Sequence, residues 1–322
     1  MRSIQHFVPN HDGWHLALQQ SWDEERFDPA GRPVLIVPGY GMNSFIFGYH
    51  PRGVSLEGAL ALGGLEVWRV DLRAQGDSRS VGGGEVFGLA DLAVTDLGAA
   101  IDAVLERTRT RASSVAVIGA SLGGTLMFTH AALVRRHKMG ALVAVGAPVK
   151  WVKIHPLLRA AFGSPGLVGL VRFRGSRKLA GTLLPHVLKH TPWLLSVYMN
   201  PEHVDTSALA ELVRTVEDPN RHVNREIAEW IRTGDLKVRG THVSRALEHV
   251  RAPLLCVVAK ADGIVPPETA SFPYRVIGSD DRTLLEVGSE TLRLAHADMF
   301  ISNHAHESVF APVRDWLVAR PC

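Results

Sequence analysis

The hexapeptide GASLGG at residues 119–124 constrains the fold of this 322-residue chain more than any other stretch. It follows the apolar run 114–118 directly and is itself followed by apolar residues as far as position 134. The first run is typical of a buried strand and the second of a helix, so Ser121 stands on a sharp strand-to-helix turn. Ser121 is therefore either a nucleophile presented by that turn or only part of a tight turn. The first interpretation predicts further catalytic parts elsewhere in the chain.

A serine nucleophile needs a base that takes its proton and an acid that orients the base. Asp262 stands in a turn after the apolar run 254–259, and His296 follows the strand-like run 283–287. The order serine, acid, histidine along the chain is one of the known orders of a catalytic triad. We therefore predict Ser121, His296 and Asp262 as catalytic residues. The alternative for Asp262 is a turn residue that accepts hydrogen bonds from its own backbone.

Three further polar residues lie close to His296 along the chain. His304 and His306 open the last helical pattern, so we interpret them as surface or helix-capping residues rather than as the base. Asp298 is interpreted as a local loop contact, with support of the histidine loop as the alternative.

The negative oxygen that forms during attack on a carbonyl needs backbone N–H donors. The residue after the nucleophile, Leu122, supplies one. The loop PGYG at 38–41 follows the apolar run 33–37, and the N–H of Tyr40 is the predicted second donor. The ring of Tyr40 is equally suited to the wall of a pocket, and the loop as a whole is also compatible with a plain Pro-Gly turn.

Short apolar runs alternate with helical patterns along most of the chain. This alternation predicts an α/β fold with a mostly parallel central sheet flanked by helices. The segments Ile4–Val8 and Trp14–Trp22 are predicted to open the sheet as an antiparallel pair. A chain of this length with 46% hydrophobic residues fits one large core with an insertion better than two equal domains.

The insertion is predicted between residues 148 and 250, where buried strand patterns stop and prolines interrupt helical stretches. Residues 149–250 hold 15 Lys and Arg against 9 Asp and Glu, so this segment has a net charge of +6 and the rest of the chain a net charge of −3. We predict a helical cap at 148–250 on a core formed by 1–147 and 251–322. Within it, 164–190 fits two interpretations: an amphipathic helix that meets a lipid surface or an acyl chain, or a helix packed on the core with a solvated basic face. From the sequence we favour the second.

Composition limits the classes of partner and compartment. The formal net charge of +3 is small, and no zinc spacing or basic run interleaved with aromatic residues occurs, so we expect no nucleic acid, no metal and no cofactor. Cys256 lies in an apolar run and Cys322 is terminal, which favours a reducing compartment. We expect a soluble, cytoplasmic protein because no signal peptide and no membrane-spanning run is found. The oligomeric state stays open.

Taken together, these motifs resemble the α/β-hydrolase fold family, in its serine-nucleophile branch. The resemblance covers 1–147 and 251–322 and rests on PGYG with Tyr40, DLRAQGDS at 71–78, GASLGG with Ser121, ADGIVPPE with Asp262 and AHADMF with His296. In this family a histidine often precedes the glycine of the oxyanion loop, where this chain has Pro38. That loop is similar to those of acid-lipase-like and polyhydroxyalkanoate-synthase-like members. The synthases use cysteine at the position of Ser121.

The resemblance implies a serine hydrolase that cleaves a carboxylic ester with a hydrophobic acyl or alcohol part, beneath a cap that shapes the acyl pocket. An acyltransferase with the same triad and an alcohol or thiol acceptor is the first alternative. A non-catalytic binding protein on the same fold is the second. Asp71 and Arg73 of DLRAQGDS are interpreted as residues that tie core loops together.

Overall fold

The computed structural model describes residues 1–322. The eleven strands are β1 Arg2–Pro9, β2 Trp14–Trp22, β3 Val34–Val37, β4 Val67–Asp71, β5 Arg79–Ser80, β6 Val115–Ala120, β7 Met139–Val145, β8 Lys237–Val238, β9 Thr241–His242, β10 Leu254–Ala259 and β11 Arg282–Val287. The α-helices are α1 Phe45–Gly48, α2 Leu56–Leu62, α3 Leu97–Arg107, α4 Leu122–Leu133, α5 Pro156–Ala161, α6 Pro165–Leu170, α7 Ser176–His190, α8 Leu209–Leu212, α9 Arg221–Thr233, α10 Val243–Ala246, α11 Pro267–Ala270, α12 Phe272–Val276, α13 Asp298–Ile301 and α14 Ala311–Val318. Short 3₁₀ or π turns lie at Asp91–Asp96, Pro192–Leu195, Val213–Thr215, Leu247–His249 and His306–Phe310.

One nine-stranded sheet organises the molecule, in the order β1-β2-β4-β3-β6-β7-β10-β11, with β5 paired to β2. The first strands pair antiparallel, β1 with β2 and β2 with both β4 and β5. From β4 to β11 every neighbouring pair is parallel. The predicted opening antiparallel pair and the mostly parallel sheet are both confirmed. Consecutive parallel strands bring the loops after β3, β6, β7 and β10 to one edge of the sheet, where open α/β sheets place their sites.

The sheet is buried on both faces because its central strands are apolar throughout. Along β3, Leu35 and Val37 belong to one hydrophobic cluster, whereas Val34 and Ile36 belong to the other. The same alternation occurs along β6. Successive side chains point to opposite faces of a strand, so a continuous apolar run is what a strand covered on both sides requires. Cys256, on β10, lies in this core as predicted.

Two helices are shorter than their sequence pattern indicates. The pattern of 88–107 becomes a π turn at Asp91–Asp96 followed by α3, and the last pattern, 304–319, becomes the π turn His306–Phe310 followed by α14. A hydrophobic period of about 3.6 residues does not distinguish α-helical from π-helical turns over so short a span. None of the helices combines the length and the apolar composition that a membrane crossing requires.

The residues between β7 and β10 fall into two kinds. Helix α9 presents Val223, Ile227, Trp230 and Ile231, the spacing of one helical face, to the same hydrophobic cluster as the sheet. By contrast, α5, α6 and α7 contain no buried residue. The division into a core of 1–147 and 251–322 and a cap of 148–250 stays a prediction.

Candidate active site

Ser121 occupies the turn between β6 and α4 with an uncommon backbone conformation. Its φ of +51° and ψ of −118° lie outside the regions that residues with a side chain prefer. Its N–H donates to the carbonyl of Val145 at 2.8 Å, which ties the turn to the end of β7. A residue held on such a turn projects away from both the strand and the helix. The strand, turn and helix predicted around GASLGG are therefore confirmed.

The glycines of the motif allow backbones to approach closely at this turn. A Cβ atom at Gly119 would lie 2.3 Å from the Cα of Gly124. A Cβ atom at Gly123 would lie 2.2 Å from the carbonyl oxygen of Val37, at the end of β3. Any side chain at these two positions would push α4 away from β6 and β3, so glycine is required by packing.

Asp262 and His296 meet directly. Asp262 follows β10, His296 precedes α13, and Asp262 Oδ2 lies 2.6 Å from His296 Nδ1, with both residues buried. The other carboxylate oxygen, Oδ1, accepts the N–H groups of Ile264 and Val265 at 2.9 and 2.8 Å. The turn interpretation of Asp262 is therefore confirmed, and its role as the catalytic acid stays a prediction that the contact with His296 supports. One oxygen shapes its own turn, and this fixes the direction in which the other meets the histidine.

Ser121 and His296 line the same cavity, but no hydrogen bond joins the hydroxyl to the imidazole in this structure. The His296 ring lies over Gly146, where a Cβ atom would be 3.1 Å from the ring Cε1. Gly146 follows β7, the strand to which Ser121 is tied. The sheet edge therefore brings all three predicted residues to one place and joins two of them by a hydrogen bond. Contacts between nucleophile and base are often long without substrate and shorten in the complex.

The predicted oxyanion donors flank the serine. Leu122 is the first residue of α4, and an N–H at that position has no partner within its helix. Gly39, next to Tyr40, packs so closely on the turn that a Cβ atom there would lie 3.1 Å from Ser121 Cβ. No backbone carbonyl accepts the N–H of Tyr40 or of Leu122. Both donors therefore stay available at the turn.

The side chain of Tyr40 has a role of its own. Its ring lines the cavity, and its hydroxyl donates to Asn224 Oδ1, on α9, at 2.7 Å. Burial raises the pKa of this phenol, so the hydroxyl stays protonated and able to donate. Asn224 is fully buried. Sequence analysis missed Asn224, because nothing local in the sequence connects position 224 with the loop after β3.

Asp298, two residues after His296, is buried completely and supports the histidine loop. Its carboxylate accepts the N–H of Ala295 at 2.7 Å and the N–H of Asn200 at 3.1 and 3.0 Å. The predicted local loop contact is confirmed. Burial raises the pKa of Asp298 to about 6, and the nearby Asp262 adds to the rise, although the N–H donors act against it. Asp298 thus links the loop of His296 to the backbone at Asn200.

The two rival histidines lie elsewhere. His306 Nε2 lies 2.6 Å from the carbonyl oxygen of Val54, and its ring contacts that of His50. The ring of His304 packs edge-on against that of His203. Neither rival borders the cavity that holds Ser121.

The cavity around Ser121 and His296 has a volume of about 260 Å³. Its walls come from the sheet edge, the histidine loop and the insertion, and ten of its twelve lining residues are hydrophobic: Tyr40, Met42, Ile46, Ala120, Leu158, Phe162, Tyr198, Ile264, Ala297 and Phe300. None of the twelve is Asp, Glu, Lys or Arg. No group of three or more His, Cys, Asp or Glu side chains is placed to hold a metal ion. The site therefore combines a polar reaction centre with an uncharged apolar pocket.

Comparison with known proteins agrees with this architecture. The soluble variant of the monoglyceride lipase of Saccharomyces cerevisiae has a TM-score of 0.67 to this chain at 16% identity, covering 99% of this chain and 96% of that one. The esterase of Exiguobacterium antarcticum has a TM-score of 0.62 at 16% identity, with 98% and 100% covered. The monoacylglycerol lipase of Paleococcus ferrophilus has a TM-score of 0.59 at 20% identity, with 95% and 99% covered. Likeness at such identities establishes the fold.

A search of curated proteins finds no match. Residues 32–287, from β3 to the end of β11, match the family model described as serine aminopeptidase, S33. That span contains Ser121 and Asp262 in their predicted settings. Because the model covers most of the chain, the protein belongs to the serine aminopeptidase S33 family and has the α/β-hydrolase fold.

Proposed function

We propose that this protein is a serine hydrolase that cleaves carboxylic esters with an apolar acyl group. The observation that carries the proposal is the cavity that Ser121 and His296 both line, with His296 hydrogen-bonded to Asp262 and with walls that are apolar and uncharged. Moving a neutral, hydrophobic substrate from water into such a pocket costs little desolvation free energy. A charged substrate would lose its hydration and find no charged partner in the pocket.

In the proposed reaction, His296 Nε2 takes the proton of Ser121 as the serine oxygen attacks the carbonyl carbon. Asp262 accepts the Nδ1–H of His296, which keeps Nε2 free as the base and stabilises the ring once it is charged. The N–H groups of Tyr40 and Leu122 hold the developing oxyanion. His296 then protonates the departing alcohol, and it activates a water that releases the acid from the acyl-enzyme.

Ester cleavage is favoured over the peptide chemistry in the family's description. An aminopeptidase must hold the ammonium group of its substrate, and a carboxylate is the usual partner for such a group. The cavity lining contains no Asp or Glu. The structural neighbours from Exiguobacterium antarcticum and Saccharomyces cerevisiae are named as an esterase and a monoglyceride lipase, which agrees with the proposal.

The size of the cavity favours a short acyl chain. Its volume of about 260 Å³ lies just below the range of roughly 300–1,000 Å³ typical of ligand pockets. We therefore expect p-nitrophenyl butyrate to be cleaved with a higher kcat/KM than p-nitrophenyl palmitate.

The test is turnover of p-nitrophenyl butyrate by the Ser121→Ala variant, together with labelling by a fluorophosphonate probe. We expect a loss of at least about 10³-fold in kcat and no labelling, because the nucleophile is absent. Ser113→Ala, at an exposed serine, is the matched control and should keep full activity and labelling. Undiminished turnover by Ser121→Ala would refute the assignment.

The reaction type is tested by its products. With a competing alcohol or thiol acceptor present, we expect free butyrate as the main product; butyrate transferred to that acceptor would indicate acyl transfer instead. Faster cleavage of alanine p-nitroanilide than of the butyrate ester would overturn the preference for esters.

A further inference from the structure

The segment 152–198, here called the basic cap segment, has an unusual composition. It contains no Asp or Glu and seven cationic residues, Lys153, Arg159, Arg172, Arg174, Arg177, Lys178 and Lys189. Segments of this length normally carry charges of both signs. The excess of one sign therefore calls for an explanation beyond solubility.

The basic cap segment also exposes much apolar surface. Helices α5, α6 and α7 and the 3₁₀ turn Pro192–Leu195 bury no residue. More than half of the large hydrophobic side chains that the chain exposes lie here, among them Leu157, Leu167, Leu170, Leu179, Leu183 and Trp193, each exposed by 50% or more. Of the stretch 164–190, for which the sequence favoured a helix packed on the core, Leu188 does pack against the hydrophobic core, but no residue is fully buried. A group of exposed apolar residues indicates a surface that binds another protein, a membrane or a ligand.

Most of the cations have no partner within the chain. Lys153 pairs with Glu268 and Arg177 with Glu217. The other five are exposed and form no ion pair: Arg159, Arg172, Arg174, Lys178 and Lys189. Free cations next to exposed leucine and tryptophan side chains are the features by which helices lie on a membrane surface, where apolar groups enter the acyl boundary and cations meet lipid headgroups.

Charge decides between the possible occupants. A second copy would bring another acid-free, positively charged segment against the first, and like charges at an interface repel each other. A bilayer with anionic phospholipids has negatively charged headgroups for the cations and a hydrocarbon interior for the apolar side chains. We propose that the basic cap segment docks the protein on the surface of a membrane containing anionic phospholipids.

The location of the segment agrees with such docking. The same segment supplies Leu158, Phe162 and Tyr198 to the cavity around Ser121. Leu157, exposed by 61%, and Leu158, a cavity wall, are neighbours on α5. On this short helix, Leu157 thus lies on the surface proposed to contact the lipid, and Leu158 lines the pocket. Docking does not depend on the proposed reaction, so the two are tested separately.

The experiment measures co-sedimentation of the full-length Ser121→Ala protein with vesicles, so that no lipid is hydrolysed. Vesicles of phosphatidylcholine are compared with vesicles of phosphatidylcholine and phosphatidylglycerol. We expect at least tenfold tighter binding to the anionic vesicles, weakening as salt is raised, because each cation near such a surface contributes on the order of a fivefold change in affinity. Equal binding to both compositions would overturn the proposal.

Variants locate the surface. In the same background, Arg172→Glu with Arg174→Glu should weaken binding to the anionic vesicles by roughly 30-fold or more, since two attractive charges are reversed. The matched control, Arg135→Glu with Arg136→Glu, changes two exposed cations outside the segment and should bind unchanged. A control that weakens binding as much would refute the location.

Two further measurements complete the test. Leu170→Ser with Trp193→Ser should weaken binding to both kinds of vesicle and leave the oligomeric state unchanged. A dimer of the parent protein that this variant dissociates would instead show that a second copy covers the surface, and would overturn the proposal. With Ser121 restored, Arg172→Glu with Arg174→Glu should keep its activity on p-nitrophenyl butyrate without vesicles. That result establishes that the variant is folded and separates docking from catalysis.

Discussion

Ser121 illustrates how the structure imposes a conformation that the residue alone disfavours. Its φ of +51° is unfavourable for a residue with a Cβ atom, and such strain costs about 1–3 kcal/mol. The surrounding contacts hold it there: the bond to Val145 fixes its N–H, and α4 begins at the next residue. A strained serine on this turn is well placed to react, because its side chain is directed away from the packed elements on either side.

The strain predicts an unusual order of stability at position 121. Ser121→Gly should be more stable than Ser121→Ala by about 1 kcal/mol, because glycine adopts a positive φ without penalty and alanine does not. Urea denaturation of the two variants measures the difference in the free energy of unfolding. An alanine variant as stable as the glycine variant would show that the turn is not strained.

Asp298 predicts a pH dependence of stability. Its pKa is raised from 3.8 to about 6 in the folded protein, so its ionised form is less favourable there than in the unfolded chain. The stability that Asp298 contributes is therefore present below pH 3.8 and lost as the pH rises through about 6. Asp298→Asn, which is neutral throughout, lacks this loss. The stability of the parent protein minus that of Asp298→Asn should fall between pH 4 and pH 7; a constant difference contradicts the prediction.

At the scale of elements, the walls of the cavity come from separate segments that the sheet edge collects. The loop after β3 supplies Tyr40, the turn after β6 supplies Ser121, and the loop before α13 supplies His296. Helix α5 closes the apolar side with Leu158. Helix α5 has no fully buried residue, although Leu158 packs against the hydrophobic core. If the proposed function is correct, the length of the acyl chain that fits depends on this helix.

A bulkier residue on α5 should shorten the preferred substrate. Leu158→Trp fills part of the cavity, so kcat/KM for p-nitrophenyl octanoate should fall roughly tenfold relative to that for the acetate, about the effect of losing one or two methylene contacts. Leu157→Trp, at the exposed neighbour, is the control and should leave the ratio unchanged. If the ratio of kcat/KM for the octanoate to that for the acetate were equal in both variants, the acyl group would not bind next to Leu158.

At the scale of the molecule, one buried ion pair ties distant parts of the chain together. Arg73, after β4, pairs with the fully buried Asp96 at 2.7 Å and with Asp12 at 2.6 Å. Asp96 also accepts from Asn10, in the turn between β1 and β2, at 2.7 Å. The interpretation of Arg73 as a residue that ties core loops together is confirmed. Asp71, its partner in that interpretation, accepts the N–H groups of Ser44 and Asp77.

Removal of one partner should destabilise the whole fold. Asp96→Asn leaves the buried guanidinium of Arg73 with only the half-exposed Asp12, so the free energy of unfolding should drop by about 3 kcal/mol. Asp102→Asn, which removes an exposed pair with Lys138, should change it by less than about 1 kcal/mol. Urea unfolding of both variants measures the contrast, and equal effects would contradict it.

Much of the fold and of the site follows from local sequence. Continuous apolar runs identified β3, β6 and β10, and the residues after β6 and β10, Ser121 and Asp262, were identified as catalytic candidates because parallel strands end at one sheet edge. Asn224 was missed because its importance lies in a contact with Tyr40 across 184 positions of the chain. The contact of Asp298 with Asn200 was missed for the same reason. Local patterns carry no information about which distant backbone group a polar side chain meets.

The sequence by itself determined the alternation of strands and helices, the strand-to-helix turn at Ser121 and the candidate acid and base, because strand, turn and helix signals depend on neighbours within a few residues. Only the tertiary structure decided that Asp262 is hydrogen-bonded to His296 while Ser121 is not, and that α9 has buried residues in the core whereas α5 to α7 have none. The physical reason is that periodicity shows which face of an element is apolar. What covers that face is decided by contacts between residues far apart in the chain.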